Sequence, residues 1–173
     1  MELLDIYDEN RRLTGRTTVR GQKRGKNEYA LGVVVWIVNG RGELLITLRS
    51  PEKDSWPGYW ENTGGAVLAG ESSVKGCVRE LLEETGIRAD ASELSFLQTE
   101  KDADTFFDAY AIRRDIPLEE VRLQPGETAD AQWVTVKRFE EMCADGSVAG
   151  PIAEHYWSVK PVLMEYIKRV IDN

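Results

Sequence analysis

"GGAVLAGESSVKGCVRELLEETGI", residues 64 to 87, decides how the rest of this chain is read. It opens with the loop "GGAVLAGE", whose glycines permit backbone shapes closed to other residues. From about 71 to 85 the stretch predicts an α-helix. Val74, Cys77, Val78, Leu81 and Leu82 follow the spacing of a core-facing stripe, and Gly86 is the usual residue for a left-handed C-cap. At about 100° per residue, Glu80, Glu83 and Glu84 fall together at the edge of the opposite side and are expected to point outward. Like charges one turn apart repel by roughly 0.2–0.5 kcal/mol a pair, so their crowding asks for a purpose.

A hard divalent cation is the simplest remedy. Mg²⁺ and Mn²⁺ prefer oxygen ligands and keep waters that a substrate can replace. With the ion present, each carboxylate stays ionised instead of being forced to protonate by its neighbours. An acidic helix end solvated by water would look the same in "RELLEE" alone, but Gly65, Glu71, Arg79, Glu80, Glu83, Glu84 and Gly86 recur at set intervals, with apolar Leu81 and Ile87 between and after them.

Those positions match the pattern GX5EX7REUXEEXGU, with U an aliphatic residue, and so the chain resembles the Nudix hydrolase superfamily. The buried strand before the box, the hairpin "ELLITLRS", the approach "WPGYWENTGG" and the later "LQPGETADAQWVTV" look like the usual surroundings of that box. The resemblance implies an α/β fold: an α/β/α sandwich around a mixed β-sheet with a short N-terminal β extension. It divides a single domain, 1–173, into an extension over 1–27 that resembles one shared with isopentenyl diphosphate isomerase, a core over 28–145 and a C-terminal helix over 146–173. It further implies hydrolysis of a nucleoside diphosphate derivative by water attack at phosphorus. Metal would be held by Glu80, Glu83 and Glu84 with the box glycine Gly65, and Glu83 is the first choice to take the water's proton. Arg79 would pair with Glu71 to brace the helix. A further carboxylate from outside the helix often completes such a site, and Glu127 in "PGETADAQW" sits where it is expected. Asp102, Asp104 and Asp108 compete for that role.

Composition narrows the partners. Lysine and arginine number 22 against 30 acids, a net charge of −8, which argues against broad attraction to nucleic acid or to an anionic membrane. Charge is uneven, however: residues 1 to 26 hold seven basic residues against four acids, +3 there and −11 over the remainder. They form either a solvated hairpin or a basic rim steering an anionic ligand. Cys77 and Cys143 have the spacing of neither a disulfide framework nor a zinc site, which suggests a reducing compartment. The longest apolar run, "ALGVVVWIV", is half a bilayer span, and the amino terminus has no apolar signal region. The expectation is a soluble, cytoplasmic protein acting on a small-molecule diphosphate.

Along the chain, "LLDIY" reads as a strand, with a second extended stretch near 16 to 20. "YALGVVVWIV" reads as a strand buried on both faces, with "ELLITLRS" its partner across "NGRG". "YWENT", "LSFLQTE", "TFFDAYAIRR" and "AQWVTV" are extended. Helices are predicted over about 136 to 145 and 152 to 172, with Pro161 in or near the first turn of the last.

For the substrate, Arg49 and Lys53 are candidates to meet phosphate, and Trp56 to stack on a base; Tyr59 and Trp60 flank the same approach. His155, alone of its kind, reads as structural. Isopentenyl diphosphate isomerase is the enzymatic rival, but its resemblance calls for a cysteine where "NTGG" stands and a histidine where Ala30 stands. A non-catalytic, nucleotide-sensing Nudix-like domain is the rival of another class; such domains commonly lose box glutamates, whereas all are kept here. RNA pyrophosphate or cap removal has only the basic residues 11 to 26 in its favour. The N-terminal strands could exchange between the subunits of a homodimer.

Overall fold

A computed structural model describes residues 2–172. Strands β1 (Leu3–Tyr7) and β2 (Leu13–Val19) form a separate antiparallel hairpin, with Leu3 opposite Val19. β2 begins earlier than the turn residues suggested, because Thr14 and its neighbours pair back across the short connection. The hairpin is tied to the main body by Leu4 and Ile6, which are buried, and by Arg11, whose guanidinium grips the fully buried Asp108.

β3 (Ala30–Val38) is buried along its whole length. Its side chains alternate between faces. Leu31, Val33, Val35 and Ile37 enter one apolar cluster, and Val34, Trp36 and Val38 enter the other. A strand that feeds two cores has helices on both sides, and this explains the unbroken apolar run.

β3 and β4 (Leu44–Arg49) pair only at Ile37–Leu45 and Val38–Leu44, beside the turn, and then diverge. Into the gap come β5 (Trp60–Glu61), which pairs with β4, and β6 (Thr63–Ala66), which pairs with β3. The expected hairpin therefore exists at its closed end alone. α1 (Ser73–Thr85) crosses one face, and its Cys77 and Leu81 pack on Val33, Val35 and Ile37. β7 (Ser95–Lys101) and β8 (Thr105–Arg113) extend the sheet, with β8 parallel to β3. β9 (Thr128–Val134) runs antiparallel to β4. α2 (Val136–Ala144) and α3 (Gly150–Ile171) cover the other face around Trp36, Phe139 and Tyr156. The order of layers is helix, mixed sheet, helices.

Two expectations are corrected. α3 starts at Gly150 with Pro151 in its first turn, and Pro161 lies inside the helix. Pro161 removes one donor to the Trp157 carbonyl, but both residues face solvent while Tyr156, Val159, Leu163 and Ile167 hold the opposite face down. In α1, Leu82 is 43% exposed, whereas Glu80 is only 7% exposed, so the buried stripe includes a carboxylate that was expected to face water.

Candidate active site

The inward turn of Glu80 follows from the glycines opposite it. At Gly65 a Cβ would overlap the Glu80 carboxylate, and at Gly64 it would come within 2.5 Å of the Val33 carbonyl oxygen. Strand β6 thus presents bare backbone, and α1 approaches closely enough to lay acids over it. Glu84 reaches the same surface, where its Oε2 accepts a hydrogen bond from the Gly64 N–H at 3.3 Å. Only Glu83 keeps the outward position predicted for all three.

Arg79 organises the acids. Its Nε and Nη2 donate to the two Glu71 oxygens at 3.0 and 3.1 Å, Nη2 also donates to the Ala66 carbonyl at 2.8 Å, and Nη1 spans Glu80 at 2.8 Å and Glu83 at 3.0 Å. Burial acts to lower the Arg79 pKa, but the hydrogen bonds it donates to Glu71 and Glu80 outweigh this and raise the value. Burial also works against ionisation of Glu71, yet Arg79 and the Leu68 N–H leave its pKa lowered.

Charge is held under tension deeper in. Burial pushes the Glu84 carboxyl well above its ordinary value, and the neighbouring Glu61 and Glu80 push it further. Glu80 is raised by burial, although Arg79 opposes this. Glu61, one strand away on β5, is likewise raised by burial and partly relieved by Arg49 at 2.7 Å. The sequence reading missed Glu61; its one signal was an acid directly before "NTGG".

Arg79, Glu80, Glu83 and Glu84 line a cavity of about 530 Å³ together with Arg49, Lys53 and Glu127, while Glu61 lines an adjoining one. Glu127 is ion-paired with Lys53, and Arg49 also donates to the Ser55 carbonyl at 2.9 Å. Glu2 and Arg20, joined at 2.8 Å, close one side of the acidic cavity from the N-terminal segment; Arg20 is one of the seven basic residues of the expected rim, whereas Glu2 carried no signal of its own. Asp108 is committed to Arg11 and Thr99, Asp104 to Arg24, and Asp102 caps the turn after β7; none of the three lines this cavity. Trp56 does not line it either. It is 42% exposed, with its ring edge-on to Tyr59 and near Gly150, because the turn at Gly58 carries it away from the acids. Trp60 joins the core under α2 and α3. His155 pairs with Glu100 and meets the Phe107 ring. Of the basic residues before 27, Arg11, Arg16, Arg20 and Arg24 are ion-paired, and among them only Arg20 reaches the acidic cavity.

Among the described residues, no three His, Cys, Asp or Glu side chains are gathered as a ready metal cage, and Arg79 bridges Glu80 and Glu83. The donor chemistry nevertheless fits a hard cation. Glu80, Glu84 and Glu61 are carboxylates forced toward protonation by burial, and a divalent ion relieves that condition.

A family model, NUDIX domain, matches residues 28–153. An uncharacterized Nudix hydrolase of Listeria monocytogenes is 38% identical over 147 residues, spanning 84% of this chain and 87% of that protein. The crystal structure of a Deinococcus radiodurans protein shares the fold, with a TM-score of 0.79 at 24% identity over 91% of this chain and 99% of that one. A bifunctional NMN adenylyltransferase/ADP ribose pyrophosphatase from Francisella tularensis, crystallised with AMP and a Mn ion, shares it at a TM-score of 0.60 and 17% identity, covering 78% of this chain and 41% of that one. Among the described residues, no helix is long and apolar enough to cross a membrane.

Proposed function

The chain belongs to the Nudix family of hydrolases, and from that premise we propose that it splits a diphosphate linkage in a nucleoside diphosphate derivative or related organic pyrophosphate by water attack at phosphorus. The observation that carries this is the gathering of Glu80, Glu83 and Glu84 with Arg49 and Lys53 around one polar cavity. Glu80, Glu83 and Glu84, with Gly65 and Glu127, would hold Mg²⁺ or Mn²⁺. Such an ion would neutralise phosphate charge and acidify a water.

The chain's own residues do the rest. Glu83, least enclosed of the three acids, takes the proton of the attacking water. Arg79 holds Glu80 and Glu83 against the cavity through its anchor on Glu71. Arg49 and Lys53 bind phosphate oxygens, each exchanging part of its contact with Glu61 or Glu127. Both cysteines are free, which suits a cytoplasmic setting.

Isomerase-like proton chemistry finds no support. Cys77 is fully buried on the core side of α1, its thiol pushed up by burial, and neither cysteine lines the acidic cavity. The direct test is a panel of nucleoside diphosphate derivatives and organic diphosphates incubated with Mg²⁺ or Mn²⁺. Turnover of at least one member is expected, with loss in Glu83→Gln at an unchanged melting temperature. A variant as active as the parent removes Glu83 from the reaction.

A further inference from the structure

A second cavity of about 520 Å³ adjoins the acidic one, and Arg20 and Gly64 line both. Its size suits a nucleoside-sized group. A ligand with phosphates beside Glu80 could therefore extend into it past the Gly64 backbone. Segment 20–24 forms one wall and is fixed there by Arg24, which pairs with Asp104 at 2.7 Å. Phe107 contributes aromatic surface. Its ring lies against Gly32, where a Cβ would come within 2.6 Å of it, so only a glycine lets the ring settle onto β3.

Asn62 is the odd residue of this wall. It sits between β5 and β6, is 3% exposed and lines the second cavity, yet neither its Oδ1 nor its Nδ2 has a hydrogen-bond partner. Arg24 Nε, on the same lining, is also unpartnered. Buried polar groups are nearly always satisfied, so an amide left open at both ends beside a cavity needs a counterpart. A carboxamide offers an acceptor and a donor side by side in one plane, which complements the donor–acceptor edge of a pyrimidine or purine. A prenyl or other apolar chain would leave both ends unmet.

We propose that the second cavity receives a nucleobase, stacked against Phe107, and that Asn62 reads its edge and so determines which substrates are cleaved. This rests on the diphosphate-hydrolase assignment and adds the part of the substrate that the acids do not touch. Ribose 5-phosphate would fill the shared region without engaging Asn62, and a nucleotide would engage both.

The test is calorimetric titration of the full chain with UMP, CMP, AMP, GMP, ribose 5-phosphate and dimethylallyl phosphate. At least one nucleotide is expected to bind about tenfold or more tightly than ribose 5-phosphate. Asn62→Leu should erase that preference and leave ribose 5-phosphate affinity unchanged. Asn62→Asp, which keeps the shape and loses the amide donor, should weaken or redirect it, and carries the test if the leucine variant fails to fold. A base preference untouched by substitution would mean that an internal water satisfies Asn62, and it overturns the proposal. So does equal binding of ribose 5-phosphate, or tightest binding of dimethylallyl phosphate. Because the readout is binding, hydrolysis without base preference overturns this inference alone, and base preference without hydrolysis overturns only the enzymatic assignment.

Discussion

The Arg79 guanidinium and the Glu71 carboxylate are joined by two parallel hydrogen bonds, Nε to Oε1 at 3.0 Å and Nη2 to Oε2 at 3.1 Å. The pair links the loop before α1 to its second turn, and the remaining nitrogen, Nη1, is thereby aimed at Glu80 and Glu83. Glu71 does not itself line the cavity, so it acts on the site through Arg79, which does.

Glu71→Gln should therefore lower stability by about 1–3 kcal/mol, since it leaves the half-buried guanidinium short of one charged partner. Arg79→Lys should do at least as much, because an ammonium cannot reproduce the fork. Urea denaturation of both variants checks this. Stabilities equal to the parent's would show that the loop and helix are held by packing alone.

Glu84 makes the metal-free protein sensitive to pH. Its folded-state pKa lies above the ordinary 4.5, chiefly through burial. A raised carboxyl pKa contributes stability that is fully present below the unfolded value and lost as pH rises through the folded one. In chelator, the parent should lose stability relative to Glu84→Gln as pH climbs from about 5 toward 8, and Mn²⁺ should shrink the difference. Denaturation curves across that range provide the measurement, and a constant gap between parent and variant would contradict it.

Glu127 is tied to Lys53 at the rim of the acidic cavity. If it joins the cation's ligands, Glu127→Gln should raise the Mn²⁺ concentration for half-maximal thermal stabilisation by about tenfold. The same half-point in parent and variant would leave Glu127 as a partner of Lys53 only.

What could be read in the sequence was what repeats. The apolar run of β3 and the stripe through Cys77 and Leu81 are periodic and local, and both place the sheet and α1 correctly. The inward turn of Glu80 and Glu84 was not legible, because it depends on Gly64 and Gly65 arriving opposite α1 from another element. "YWENT" reads as extended, but nothing local tells that its Glu61 lands beside Arg49 and Glu84, a placement made only where β3 and β4 part. Trp56 lies outside the acidic cavity for a related reason: nearness along the chain to the glycine loop does not survive the turn that carries its ring toward Gly150. A proline suggests the first turn of a helix, which is where Pro161 is expected, although a well-packed opposite face tolerates a proline on the solvent side.

The central claim is that acids on α1 direct water to phosphorus. Turnover of a cleaved diphosphate in water labelled with heavy oxygen, read by mass spectrometry, tests it most directly. The predicted result is label in a phosphate product of the parent, with turnover lost in Glu83→Gln. Label in the organic alcohol, or undiminished turnover by the variant, would contradict it.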